Sequence, residues 1–217
     1  MTTELQRVSE KLWSARSEFR SAIEEWSRVS GQAIVTRAPE VAAERLTHCR
    51  VFSNRVEGLK TLPRNARCVE VGTQAGYFAR QIIDLVSPKE LHLIDLVWSH
   101  FNRSLFSEAE LRDTIKIYEG YSNAILDRLP DAYFDWIYID ASHAYENVKD
   151  DIDISGRKLK PGGLIICNDY TAWSPGEVEQ YGVMRALNEF CEREDWEFIY
   201  LALQGEGFHD VCVRKRI

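Results

Sequence analysis

The chain has 217 residues, 45% of them hydrophobic, and a formal net charge of −7 at pH 7. Length and apolar content suit one α/β domain with an added N-terminal segment and exclude disorder throughout. The acidic balance disfavours a nucleic-acid backbone as the main partner, and no apolar run approaches the roughly 20 residues of a membrane span.

The charged start MTTELQRVSEKLW lacks the apolar stretch of a secretory signal. Cys49, Cys68, Cys167, Cys191 and Cys212 contain no CxxC pair, the pattern of reduced thiols in a cytoplasmic protein. Residues 3–30 read as one amphipathic helix. Leu5, Leu12, Phe19 and Trp26 recur at heptad spacing, with Val8, Ala15, Ala22 and Val29 as a second row, which together make an a/d seam. Such a seam serves as packing on its own domain, as a homodimer contact or as a lid. Residues 38–62 suggest one or two more helices ending near Pro63. The expected organisation is a helical extension over residues 1–62 and the main domain over residues 63–217.

After Pro63, short apolar runs alternate with helical stretches. Strands are expected over residues 67–71, 91–95, 114–118, 136–140 and 163–167, and a helix from Tyr77 to about Leu85. Val183, Leu187 and Phe190 mark a late helix. Residues 196–203 and 208–213 read as two strands around the turn Gly205-Glu206-Gly207. The expected fold is a doubly wound, Rossmann-like α/β domain with a mostly parallel seven-stranded sheet and a C-terminal antiparallel strand. Ligands in such sheets bind at the carboxyl ends of the strands.

The segment EVGTQAG, Glu70 to Gly76, follows the first of these strands and opens a helix. Its glycines permit a tight turn and close backbone approach, and the helix start beyond favours an anionic group. The spacing is not GxGxxG, which disfavours a dinucleotide. Asp95 ends the next strand, where a ribose-binding carboxylate belongs; the alternative is a helix cap or solvated loop acid. VEVGTQAGYFA and LHLIDL resemble the first motif and the ribose-binding strand of class I S-adenosylmethionine-dependent methyltransferases. The segment from Glu119 to Asn123 resembles their adenine-bracketing turn. In more detail the chain resembles catechol-type and antibiotic-tailoring (macrocin-like) small-molecule O-methyltransferases. The resemblance implies S-adenosylmethionine contacts from Glu70, Gly72, Thr73, Gly76, Tyr77, Asp95, Ser122, Asn123 and Asp140.

Asp140 follows the fourth of these strands, and Asn168 and Asp169 the fifth. Brought together, two carboxylates and an amide oxygen form a hard set suited to Mg²⁺, Ca²⁺ or Mn²⁺. The catechol-type enzymes hold magnesium at these places, although their last pair reads Asp-Asn where this chain has Asn-Asp. The alternatives are that Asn168 and Asp169 cap a loop and that Asp140 meets the cofactor ammonium. His143 lies where the antibiotic-tailoring relatives carry a histidine and the catechol-type enzymes a lysine base, and an imidazole is a suitable general base. Trp98, His100, Phe101, Tyr170 and Trp173 are candidates to wall the acceptor pocket. The expected function is metal-assisted methyl transfer to a hydroxyl of a small molecule. Its rivals are a metal-independent methyltransferase, a nicotinamide-binding oxidoreductase and a catalytically silent binding protein.

Overall fold

The structure, a computed structural model, describes residues 3–216. They divide into one unit ending at Thr36 and a second beginning at Arg37. The first unit is dominated by helix α1, Thr3–Ser30. Glu4 and Arg28 complement its dipole at opposite ends, and Gly31, at φ +69°, ends it by donating its N–H to Ser27 O at 3.0 Å. No residue of α1 is buried, and Leu12, Trp26 and Val29 of the seam are each more than half exposed.

The second unit is built on one large sheet. Its strands are β1 (Arg50–Phe52), β2 (Arg67–Val71), β3 (Glu90–Asp95), β4 (Ile115–Glu119), β5 (Phe134–Ile139), β6 (Leu159–Cys167), β9 (Trp196–Ala202) and β10 (Asp210–Lys215). A separate two-stranded hairpin pairs β7 (Trp173–Ser174) with β8 (Glu179–Gln180). The order across the large sheet is β1-β9-β10-β6-β5-β2-β3-β4. Only β10 runs antiparallel to its neighbours. The seven strands expected are present, and β1 adds an eighth at the edge.

Residues 38–62 differ from the helices expected there. They form a 3₁₀ turn at Ala43–Leu46, strand β1 and a short helix α2, Arg55–Leu59. The physical reason is that Arg50-Val51-Phe52 finds the free edge of β9 and pairs parallel to it, a long-range gain invisible to local periodicity. These residues belong to the second unit, which begins at Arg37.

Alternating residues of each strand face opposite sides. Val69, Val71, Ile137, Ile139 and Ile165 pack on one side with Val148 and Ile152 of helix α5 (Tyr145–Lys158) and Leu187 and Phe190 of helix α6 (Val183–Glu194). Cys68, Leu91, Leu93, Trp136 and Tyr138 pack on the other with Ala79, Ile82 and Val86 of helix α3 (Tyr77–Val86) and Leu59 of α2. Full burial of each large aliphatic side chain is worth about 1.5–3 kcal/mol, so these two layers hold the strand ends rigidly. All five cysteines are free thiols. Among the described residues, no helix is long and apolar enough to cross a membrane.

Candidate active site

The carboxyl ends of the parallel strands are kept level by backbone bonds that continue past the strands themselves. Gly72 N donates to Ile94 O at 2.8 Å, Gly120 N to Asp95 O at 2.9 Å, Asp140 N to Val71 O at 2.8 Å and Asn168 N to Ile139 O at 3.0 Å. These bonds bring Gly72, Asp95, Gly120, Asp140 and Asn168 to one rim, although they are far apart in sequence.

A cleft of about 480 Å³ opens along this rim, lined among others by Gly72, Gln74, Asp95, Tyr121, Ser122, Asn123, Asp140 and Ser142. Gly72 has φ +88°, and a Cβ there would lie 1.9 Å from Asp140 O. The glycine therefore lets β2 and β5 meet beneath the cleft. Asp95 Oδ2 accepts from Gln74 N at 2.7 Å, so the carboxylate holds the turn in place while lining the cleft. Ser122 starts helix α4, Ser122–Arg128, and its hydroxyl donates to buried Asp151 at 2.7 Å. Burial pushes Asp151 up to about 6.

Of the cofactor residues expected, Gly72, Asp95, Ser122, Asn123 and Asp140 line the cleft. Glu70 and Thr73 are buried below it and do not line it. Burial, reinforced by Asp140, holds Glu70 well above the usual carboxylate range. Gly76 caps α3 in the left-handed conformation and packs on Phe101, where a Cβ would come within 2.7 Å of the ring. Tyr77 is 64% exposed and stands outside the lining.

Asp140, Asn168 and Asp169 come together as expected, and a residue absent from the sequence reading joins them. Arg55, the first residue of α2, donates through Nη2 to Asn168 Oδ1 at 2.7 Å and to Asp140 Oδ2 at 3.3 Å, and also to the Tyr138 hydroxyl. Its Nε lies 3.5 Å from Asp210 Oδ2. The buried carboxyl of Asp210 accepts from Tyr138 Oη at 2.6 Å and from Gln204 Nε2 at 2.8 Å. Burial pushes Asp140 up to about 7 and Asp210 up to about 6, against the pull of Arg55 in both cases.

Asp169 has φ +55°, a left-handed conformation uncommon outside glycine. It accepts from the Asn168 amide, and its Oδ2 lies 3.2 Å from His143 Nε2. The His143 ring stacks on Tyr181, with centroids 4.1 Å apart and planes 13° apart. Burial pulls the imidazole down, but Asp169 outweighs it, and the ring titrates above its ordinary value of 6.5.

Of the acceptor-wall candidates, Trp98 and Phe101 pack edge to face at 5.0 Å, with the Trp98 indole N–H donating to Tyr118 O. Tyr170 lies against the core, its hydroxyl bonded to Asn188. Sequence reasoning missed Arg55, Asp210 and Tyr181, none of which stands in a motif of its own, and it did not single out Gln74 within the EVGTQAG turn.

A divalent ion does not fit the oxygen set as arranged. Asp140 and Asn168 already receive the guanidinium of Arg55, and Asp169 is engaged by Asn168 and His143.

Comparison with known proteins agrees with the fold. Residues 69–170 match a family model described as a methyltransferase domain. No curated protein sequence matches the chain significantly. Among solved structures, the O-methyltransferase from Bacillus cereus in complex with SAH is similar at TM-score 0.55 and 17% identity, over 90% of this chain and 91% of that one. A SAM-dependent methyltransferase from Aquifex aeolicus is similar at TM-score 0.56 and 18% identity, over 81% and 94% of the two chains. The ribosomal protein L11 methylase from Lactobacillus delbrueckii subsp. bulgaricus is similar at TM-score 0.52 and 17% identity, over 74% and 75%. These three differ in what they are named for, and the likeness is one of fold. Over residues 69–170 the chain thus matches a methyltransferase domain, and in motifs and fold it resembles the class I S-adenosylmethionine-dependent methyltransferases.

Proposed function

We propose that this protein transfers the methyl group of S-adenosylmethionine to a hydroxyl of a small molecule. The observation that carries the reading is the continuity of one rim. Gly72, Asp95, Ser122, Asp140, Ala141 and Ser142 line the cleft, and His143, the residue next to Ser142 in the chain, faces Asp169 at 3.2 Å. A nucleoside fits such a cleft. The Asp95 carboxylate accepts from ribose hydroxyls, the turn after Gly120 brackets the base, and Asp140 meets the amino-acid ammonium. When bound, S-adenosylmethionine supplies an electrophilic methyl group on a sulfonium.

The remaining work falls to the chain's own residues. A neutral hydroxyl is a poor nucleophile, so its proton must be taken up as it attacks. His143 takes that proton. Asp169, 3.2 Å from Nε2, stabilises the imidazolium that forms, and Tyr181 fixes the plane of the ring. Closely held reactants gain the entropic advantage of an effectively intramolecular reaction. Because Asp140 and Asn168, two of the three side chains expected to hold Mg²⁺, are committed to Arg55, the proposed reaction has no step through a metal.

The test is calorimetric titration with S-adenosylhomocysteine, then product release on a panel of phenols, catechols and hydroxylated glycosides. Binding in the micromolar range, about −8 kcal/mol, with methylation of at least one hydroxyl acceptor is expected. Absence of binding would remove the methyltransferase reading. Binding with methylation only of amines would move the acceptor from oxygen to nitrogen.

A further inference from the structure

The acid-lined end of the sheet carries a cation of its own. We propose that Arg55 is the resident cation of this site and holds the place between Asp140 and Asn168 that a divalent ion would take. The inference rests on the methyltransferase reading only in locating the site beside the cofactor cleft.

Helix α2 seats Arg55 firmly. Asn54 caps the helix, accepting from Glu57 N at 3.0 Å, and Leu59 is buried. Gly58 lies so close to Tyr200 that a Cβ would be 2.9 Å from its ring. The guanidinium lies over Phe78, 4.3 Å from the ring centroid, a favourable cation–π placement. One nitrogen, Nη2, reaches Tyr138, Asp140 and Asn168, while Nε faces Asp210.

A divalent ion binds carboxylate and amide oxygens at about 2.0–2.6 Å. Ion and guanidinium would then share oxygens that lie 2.7 and 3.3 Å from Nη2, with two like charges nearly in contact. An arginine does not relieve that repulsion by losing its proton. The two cations are therefore alternatives. Without Arg55, Asp140 and Asp210 would face each other across this end of the sheet with no cation between them, and the chain supplies one. The guanidinium differs from a metal in kind. It is a single charge that donates hydrogen bonds in fixed directions, and as part of the chain it is present whatever the metal content of the solution.

The test is a Mn²⁺ titration followed by electron paramagnetic resonance on the full-length chain with S-adenosylhomocysteine present. The wild-type protein should show no saturable Mn²⁺ site. Arg55→Gln should gain one, with affinity raised roughly 100-fold or more by removal of a like charge at contact distance. The double variant Arg55→Gln, Asp169→Asn should lose it again. Saturable wild-type binding that Asp169→Asn abolishes would overturn the proposal. So would an Arg55→Gln protein that still binds S-adenosylhomocysteine yet takes up no Mn²⁺. If Arg55→Gln does not fold, the wild-type titration decides alone. Loss of S-adenosylhomocysteine binding in the wild type would count against the methyltransferase reading and leave the Mn²⁺ outcome to judge Arg55.

Discussion

Replacing Gly72 by alanine should damage both stability and cofactor binding, and the structure allows the two causes of the damage to be separated. At φ +88° an alanine is strained whatever the space around it, at a cost of about 1–2 kcal/mol. Its Cβ would also lie 1.9 Å from Asp140 O, 2.5 Å from Asp140 C and 2.8 Å from Ala141 Cα. These are backbone atoms of a strand end held by the 2.8 Å bond from Asp140 N to Val71 O, so neither side yields cheaply. Overpacking of this kind adds about 1–3 kcal/mol, for a total of about 2–5 kcal/mol against a typical stability of 5–15 kcal/mol. Gly162 provides the control, with φ +78° and nothing within 4 Å of the added Cβ, so Gly162→Ala carries the backbone strain alone. Urea unfolding should show Gly162→Ala down by about 1–2 kcal/mol with unchanged affinity for S-adenosylhomocysteine. Gly72→Ala should be clearly less stable than that, with affinity reduced at least about tenfold as the cleft floor is wedged apart. A Gly72→Ala protein as stable as Gly162→Ala would refute the close-approach argument.

Asp95→Ala removes a charged acceptor worth about 1.5–3 kcal/mol. Calorimetry should show affinity for S-adenosylhomocysteine falling roughly 10- to 100-fold, and an unchanged value would take Asp95 out of the site. His143→Ala should slow turnover about 10²–10⁴-fold while leaving cofactor affinity intact. Because Asp169 raises the imidazole above 6.5, the wild-type rate should climb with pH through a midpoint above 6.5, and that limb should vanish in the variant. The stabilising His143–Asp169 ion pair has the opposite sense, being fully present below pH 6.5 and lost as pH rises through the folded-state value. The seam of α1 leaves Leu12, Trp26 and Val29 exposed, and we predict that it pairs two copies of the chain. Light scattering should show a dimer that becomes a monomer when the chain starts at Gly31, and a monomer in both cases would make the seam irrelevant to assembly.

Much of the fold was legible because its signals are local. Val69 and Val71 alternate with Cys68 and Glu70, and each strand of the large sheet from residue 67 onward carries enough apolar residues to declare itself, whereas the two-residue strands β7 and β8 do not. The turn after Val71 was equally legible, since the positive φ at Gly72 and Gly76 calls for the residue type found there. Asp95, Asp140, Asn168 and His143 follow strand ends, where an open α/β sheet places its ligand-binding groups. Strand β1 was hidden because three residues are too few for a periodicity and their partner β9 lies at the other end of the chain. Arg55 was hidden for a deeper reason. Its partners Asp140 and Asn168 lie 85 and 113 residues away, and no local pattern encodes a side chain crossing from α2 to β5 and β6. The metal expectation followed from that gap, since Asp140 and Asn168 were read without the guanidinium that meets them.

The charge state of Asp140 leads to a final prediction about the cofactor itself. Burial lifts this carboxyl to about 7, and Asp169 and Asp210 nearby keep it there against Arg55. At pH 7 it is therefore about half protonated in the free protein. A ligand ammonium beside it favours the charged form and lowers its pKa, so binding at pH 7 should expel up to about half a proton. Because 26% of the side chain still meets solvent, screening makes that figure an upper bound. Linkage fixes the sign, since a ligand that releases a proton binds more tightly as pH rises through about 7 and levels off above it. The measurement is calorimetry of S-adenosylhomocysteine at pH 7 in two buffers of different ionisation enthalpy, where the change in apparent binding heat gives the protons released. Asp140→Asn, which cannot ionise, should bring that difference close to zero. A wild-type protein with no buffer dependence, or an Asp140→Asn variant with the same dependence as wild type, would show that the ammonium is not held by Asp140.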